Sequence, residues 1–190
     1  MTPATPATDR QSPNRTKRRE PVRFLCVHWT GGTFSSAVDW CCRDESDVSY
    51  HVIIGPDGAA VQLVPWDYAA WAVGWSKSPA PWLTFTSGNH ASESIALAGG
   101  PATPPTAEQV ATLVQLLTER MRARGWGAGD VRRILGHDDV AVYKPGHAKA
   151  GRFGRKPDPQ GTDAWGKPEG GWLPLAPIRA AVAAALERTP

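Results

Sequence analysis

The run Gly154-Arg155-Lys156-Pro157-Asp158-Pro159 holds a lysine and a carboxylate two residues apart, braced by prolines. Two other short runs carry imidazoles: Cys26-Val27-His28-Trp29-Thr30 and Leu135-Gly136-His137-Asp138-Asp139-Val140. Two nitrogens from His28 and His137 and one oxygen from Asp158 make a donor set that catalytic zinc accepts, with solvent in the fourth position. The separations, 109 and 21 residues, are long. Spacing alone does not join these groups; only a fold can. A lone histidine is more often a hydrogen-bonded structural residue or a surface group. Lys156 is either an ammonium beside a reacting centre or a solvated lysine in a basic loop with Arg152 and Arg155.

The elements that must position these groups are legible as patterns. Val22 to Val27 is short, apolar and rich in β-formers, a buried strand that delivers His28 at its C-terminal end. Gly31-Gly32 breaks it. Phe34, Ala37, Val38, Cys41 and Cys42 then repeat on one helical face. Tyr50 to Ile54 reads as a second strand, Pro56-Asp57-Gly58 as a turn, and Ala59 to Val64 as the returning hairpin partner. Residues 65–90 read as a long Trp/Pro/Ser/Gly loop, and loops of that length are often functional. Ser94 to Ala98 reads as a buried strand. The clearest helix covers 106–124, capped by Thr106 with Gln109 completing a capping box and stopped by Gly125. Arg132 to Leu135 is a short strand leading into Gly136-His137. Ile178, Ala181, Val182, Ala185 and Leu186 mark a closing amphipathic helix. Strands and helices mix without strict βαβ alternation. The expected fold is therefore α/β, a single domain with a central mixed sheet flanked by helices.

A chain of 190 residues is long enough for one domain with a full core. No run of about 18 apolar residues suggests a membrane span, and no apolar signal-peptide core opens the chain. The expectation is synthesis in the cytoplasm. Residues 1–23 carry six Lys/Arg against two acids, a net of +4, leaving the other fifteen bases and sixteen acids at −1. Residues 1–20 read as a disordered basic arm, with the domain proper at 21–190. Such an arm could touch an anionic envelope; nucleic acid is not expected as a partner. Three cysteines, two of them adjacent, do not make a disulfide framework and read as thiols. A monomer is expected.

The ordered set of motifs resembles the type 2 N-acetylmuramoyl-L-alanine amidases, a family that includes phage lysozymes, anhydro-muropeptide amidases and peptidoglycan recognition proteins. The matching residues are Val27-His28-Trp29-Thr30, Val48-Ser49-Tyr50-His51-Val52-Ile53-Ile54, Asp57-Gly58, Gln62-Leu63-Val64-Pro65, Ala70-Trp71, Gly74, Ser94-Ile95, Gly136-His137-Asp138-Asp139-Val140 and Lys156-Pro157-Asp158-Pro159. The resemblance spans residues 22–165. It implies zinc held by His28, His137 and Asp158, with Lys156 stabilising the oxyanion and Tyr50 near the metal. The implied reaction is hydrolysis of the amide between the lactyl group of N-acetylmuramic acid and L-alanine in peptidoglycan. Chemistry agrees: zinc lowers the pKa of bound water to about 7 and polarises a carbonyl.

Other readings stay open at this level. Tyr50 is either a phenol that orients water or substrate, or an aromatic packed in the sheet. His51 alternates to the other face of the strand, so only one of the two can point at the metal. His147 and His90 read as solvated loop residues, and Cys26 as core. Trp66, Trp71, Trp75 and Trp82 either stack on sugar or peptide or pack in the core; Trp71, Trp75 and Trp66 are the substrate-binding candidates. The chain departs from the family in three places. A catalytic glutamate of some members falls on Ala98, with Glu93 out of register. The loop from Val140 to Lys156 is long. Ala70-Trp71-Ala72-Val73-Gly74 lacks a histidine seen in the family. The leading expectation is a bacteriolytic endolysin that acts on the wall after release. The rivals are a cytoplasmic wall-recycling amidase and a non-catalytic peptidoglycan-binding module.

Overall fold

A computed structural model describes residues 10–100, 102–142 and 173–188. Its five-stranded sheet is built from β2 (Phe24–Trp29), β3 (Val52–Ile54), β4 (Ala60–Gln62), β6 (Ser92–Leu97) and β7 (Ile134–Gly136), in the order β4-β3-β6-β2-β7. β2 runs parallel to both β6 and β7, and β3 parallel to β6; only the edge strand β4 is antiparallel. The expected α/β mixed sheet is what forms. Four helices of note accompany it: α1 (Phe34–Cys41), α2 (Gly88–Ala91), α3 (Ala107–Ala123) and α4 (His137–Val140). A last helix, α5 (Leu175–Glu187), closes the described chain.

Period-two alternation in β2 divides the core. Leu25 and Val27 face one side, with Val52, Ile54, Ile95 and Leu97. There they pack on Leu113, Leu116, Leu117 and Met121 of α3 and on Ile178 and Val182 of α5. Phe24 and Cys26 face the other side, against Val73, Leu83, Ala91, Leu135 and Val140. Ile53 and Ala96 extend that side under Ala37, Val38 and Cys41 of α1. His28 lies two residues beyond Cys26, hence on this second side. α3 starts as its sequence dictates, with both capping-box hydrogen bonds between Thr106 and Gln109 in place. The three cysteines are free thiols.

Two expectations are corrected. The supposed long loop contains β5 (Tyr68–Ala70) and α2. The supposed disordered arm is ordered from residue 10: β1 (Arg15–Lys17) pairs antiparallel with β5, Arg15 opposite Ala70. The Pro, Ser and Thr content that suggested disorder is outweighed by specific polar contacts. Ser12 Oγ donates to Cys41 O (2.5 Å), and Asn14 Nδ2 donates to Arg43 O (2.7 Å). Arg18 reaches under the sheet and donates to the carbonyls of His90, Ser92 (3.1 Å) and Tyr68 (2.7 Å). Burial lowers its guanidinium to about 10, still charged at neutral pH. Residues 1–9 lie outside the described residues.

Candidate active site

His28 sits in the last turn of β2's pleat and is fully buried. The β2–β7 register pairs Val27 with Gly136, so the residues that follow them in the chain, His28 on β2 and His137 just past β7, fall side by side. Their ring centroids are 4.6 Å apart, tilted by 52°. The fold thus joins two imidazoles separated by 109 residues of sequence. His137 opens α4. Asp139 fixes that start: its Oδ2 accepts from Gly136 N (2.8 Å) and pairs with Arg179 of α5 (3.6 Å). Sequence reading missed this role, although a carboxylate three residues after a glycine is a helix-start signal.

The ring of Tyr50 lies 5.1 Å from that of His28. The strand carrying it begins later than expected, at Val52, so Tyr50 and His51 precede the regular pleat. They nonetheless diverge. His51 is buried, with Nδ1 accepting from Ser94 N (2.9 Å). Its Nε2 must then carry the proton, donated to Tyr68 O (3.0 Å). The ring stacks on Trp66 at 5.1 Å and 7°. Burial pushes the His51 pKa down to about 4. His51 is therefore a neutral structural histidine.

Val73 O accepts from Nε2 of His137 (3.1 Å). Since a carbonyl only accepts, Nε2 carries a proton. A histidine whose second nitrogen is anchored on a backbone carbonyl in this way suits metal binding. His28 and His137 thus fit two places of a zinc site by chemistry and closeness. Asp158 and Lys156 lie outside the described residues, as does His147. No group of three metal-binding side chains occurs among the described residues.

The tryptophans separate by environment. Trp66 is held between the fold's own groups, stacked on His51 with the Arg120 guanidinium 4.3 Å from its ring centroid. Trp71 donates from Nε1 to Thr16 Oγ1 (2.8 Å), which commits its polar edge to β1. Trp75 is 55% exposed. Its carbonyl accepts from Val142 N (3.0 Å), and Val140 O accepts from Lys77 N (2.8 Å). The backbone of the 73–77 segment therefore runs beside α4, with Val73 O on His137 and Trp75 O on Val142. Glu93, out of register with the site, is a buried partner of Arg120 and Arg124. Burial alone would raise its carboxyl, but the two guanidiniums hold it below the usual range. A cleft of about 800 Å³ opens beyond the C-terminal ends of β2 and β6, lined by Gly31, Phe34, Pro56, Gly99, Thr103 and Gln109. Neither histidine lines it.

A family description, N-acetylmuramoyl-L-alanine amidase, matches residues 18–161. The chain belongs to this amidase family. It is a hydrolase of peptidoglycan, directed at the bond for which the family is named. Solved structures share the fold. A selenomethionine derivative of AmpD is 22% identical, with 95% of each chain covered and a TM-score of 0.62. PlyL is 18% identical, covering 70% of this chain and 80% of its own, at a TM-score of 0.54. AmpDh3 from Pseudomonas aeruginosa, solved with an anhydromuramic pentapeptide, is 20% identical over 67% of this chain and 55% of its own, at 0.53. No curated protein matches the chain in sequence.

Proposed function

We propose that this amidase is zinc-dependent, with His28, His137 and Asp158 as ligands, Lys156 as the oxyanion partner and Tyr50 beside the reacting centre. The observation that carries the reading is the buried His28–His137 pair, 4.6 Å between centroids, at one end of neighbouring parallel strands. When bound, zinc supplies Lewis-acid polarisation and an acidified water. The chain's own groups do the remaining work. Val73 O holds the His137 ring in one tautomer. The Tyr50 phenol orients water or hydrogen-bonds the substrate. Lys156 places positive charge where the amide oxygen becomes negative. Trp75 offers an exposed face to sugar or peptide.

For the place of action we propose wall lysis by a monomer, made in the cytoplasm and acting on the envelope after release. One observation favours the second reading, a cytoplasmic recycling amidase. The basic arm, which argued for gripping an envelope, spends Arg10 on Asp39 and Arg18 on backbone carbonyls within the domain. Two measurements test these readings. EDTA is expected to abolish cleavage and zinc to restore it; full activity in metal-free protein refutes zinc dependence. Mass analysis of products from intact sacculi and from soluble anhydro-muropeptides, side by side, reports the bond cut. Turnover restricted to the soluble fragments refutes lysis.

A further inference from the structure

The carbonyl that anchors His137 is itself held by a side chain outside the site. Residues 73 and 74 form a turn in which Gly74 takes a left-handed φ of +64°. Two successive backbone donors of that turn converge on one atom: Val73 N (2.8 Å) and Gly74 N (3.0 Å) both donate to Oδ1 of Asn89. Two converging N–H groups require an acceptor, which fixes the orientation of the Asn89 amide. Asn89 belongs to α2, and α2 is fastened on two sides. The Glu20 carboxylate accepts from Thr86 N (3.1 Å) and Ser87 N (2.8 Å) ahead of it. Ser76 Oγ accepts from Gly88 N (3.1 Å). An added Cβ at Gly88 would meet Ser76 Oγ at 2.4 Å and Val73 Cγ1 at 2.7 Å, so helix and turn are in close contact.

We propose that Asn89 is a positioning residue for His137. It aims the Val73 carbonyl at Nε2, and so selects the tautomer whose Nδ1 faces a metal. The chain of contacts is short: Asn89 Oδ1, the Val73 peptide, Val73 O, His137 Nε2. Without the Asn89 acceptor the two N–H groups of the turn seek water and the carbonyl loses its fixed direction. The metal half of the argument rests on the zinc reading above; the tautomer half does not.

The test uses the whole chain, metal-free and then titrated with zinc. Long-range ¹⁵N–¹H spectra of the imidazoles are expected to show His137 protonated on Nε2 in the wild type; a ring protonated on Nδ1 overturns the proposal without any variant. Asn89→Ala is expected to mix the two tautomers and to weaken zinc binding ~10–100-fold, the usual effect of losing a group that orients a ligand. Asn89→Asp, whose carboxylate oxygen accepts both N–H groups, is expected to restore both readouts. Wild-type tautomer and affinity in Asn89→Ala overturn the proposal. So does an Asn89→Asp protein that fares no better than Asn89→Ala at equal melting temperature. Wild-type protein that takes up no zinc would instead refute the zinc reading, and the tautomer spectra would still judge Asn89.

Discussion

Lowering the pH from 7 to 4 is expected to cost the fold about 3 kcal/mol through His51 alone. The ring is fully buried, receives Ser94 N on Nδ1, and stacks on Trp66. A proton on Nδ1 would oppose the Ser94 N–H and place a charge near the Arg18 guanidinium, whose Nη2 is 3.3 Å from Nε2. Burial is the largest cause, and the folded pKa falls from 6.5 to about 4. The unfolded chain therefore binds the proton first. Stability contributed by neutral His51 is complete above pH 6.5 and is lost as the pH falls towards 4. The difference of roughly 2.5 units, at about 1.4 kcal/mol per unit, gives the figure. Guanidinium titrations at pH 7, 6, 5 and 4 on the wild type and His51→Gln isolate the effect, since other titrating groups are common to both. The variant should be less stable at pH 7 and show a shallower slope between pH 6.5 and 4.5. Equal slopes, or a His51 resonance titrating near 6.5, would refute the reasoning.

Three further outcomes follow from the same structure. Glu93→Gln should destabilise by about 3 kcal/mol in guanidinium unfolding, because it removes the buried carboxylate that Arg120 and Arg124 share. Its pH effect is distinct: a carboxyl held low contributes above about 4.5, the ordinary value, and loses that contribution only below it. Deleting residues 1–20 removes Ser12, Asn14, Arg18 and Glu20 from the domain. It should cost at least about 3 kcal/mol, counting roughly 1 kcal/mol per hydrogen bond lost; an unchanged melting temperature would contradict the ordered arm. Lys156→Ala should keep zinc affinity and lose ~10²-fold or more in turnover on muropeptides; unchanged turnover would remove Lys156 from the chemistry.

What could be read in the sequence follows from how local each signal is. The capping box at Thr106 and Gln109 involves neighbours only, and α3 begins where it says. The apolar run to Val27 and its ending at an imidazole are also local, though β2 runs on through His28 to Trp29. The meeting of His28 with His137 is not local. It depends on β2 and β7 lying adjacent and parallel, which no spacing encodes; the ordered family motifs supplied it. The arm misled for the opposite reason. Its composition is that of a solvated tail, whereas its order comes from single side chains, Asn14 and Arg18, finding carbonyls across the domain. Asn89 left no trace in any periodicity. Its bonds reach residues 73 and 74, fifteen or more positions back along the chain.

The alternation along β2 has a practical corollary for protein engineering. Leu25 and Val27 look towards α3 and α5, while Phe24, Cys26 and His28 look the other way. Variant libraries restricted to the first pair and its neighbours Ile95 and Leu97 can be screened for heat resistance with the His28 side left untouched. Libraries on the opposite side explore selectivity against an unaltered foundation. One strand thus offers two independent dials.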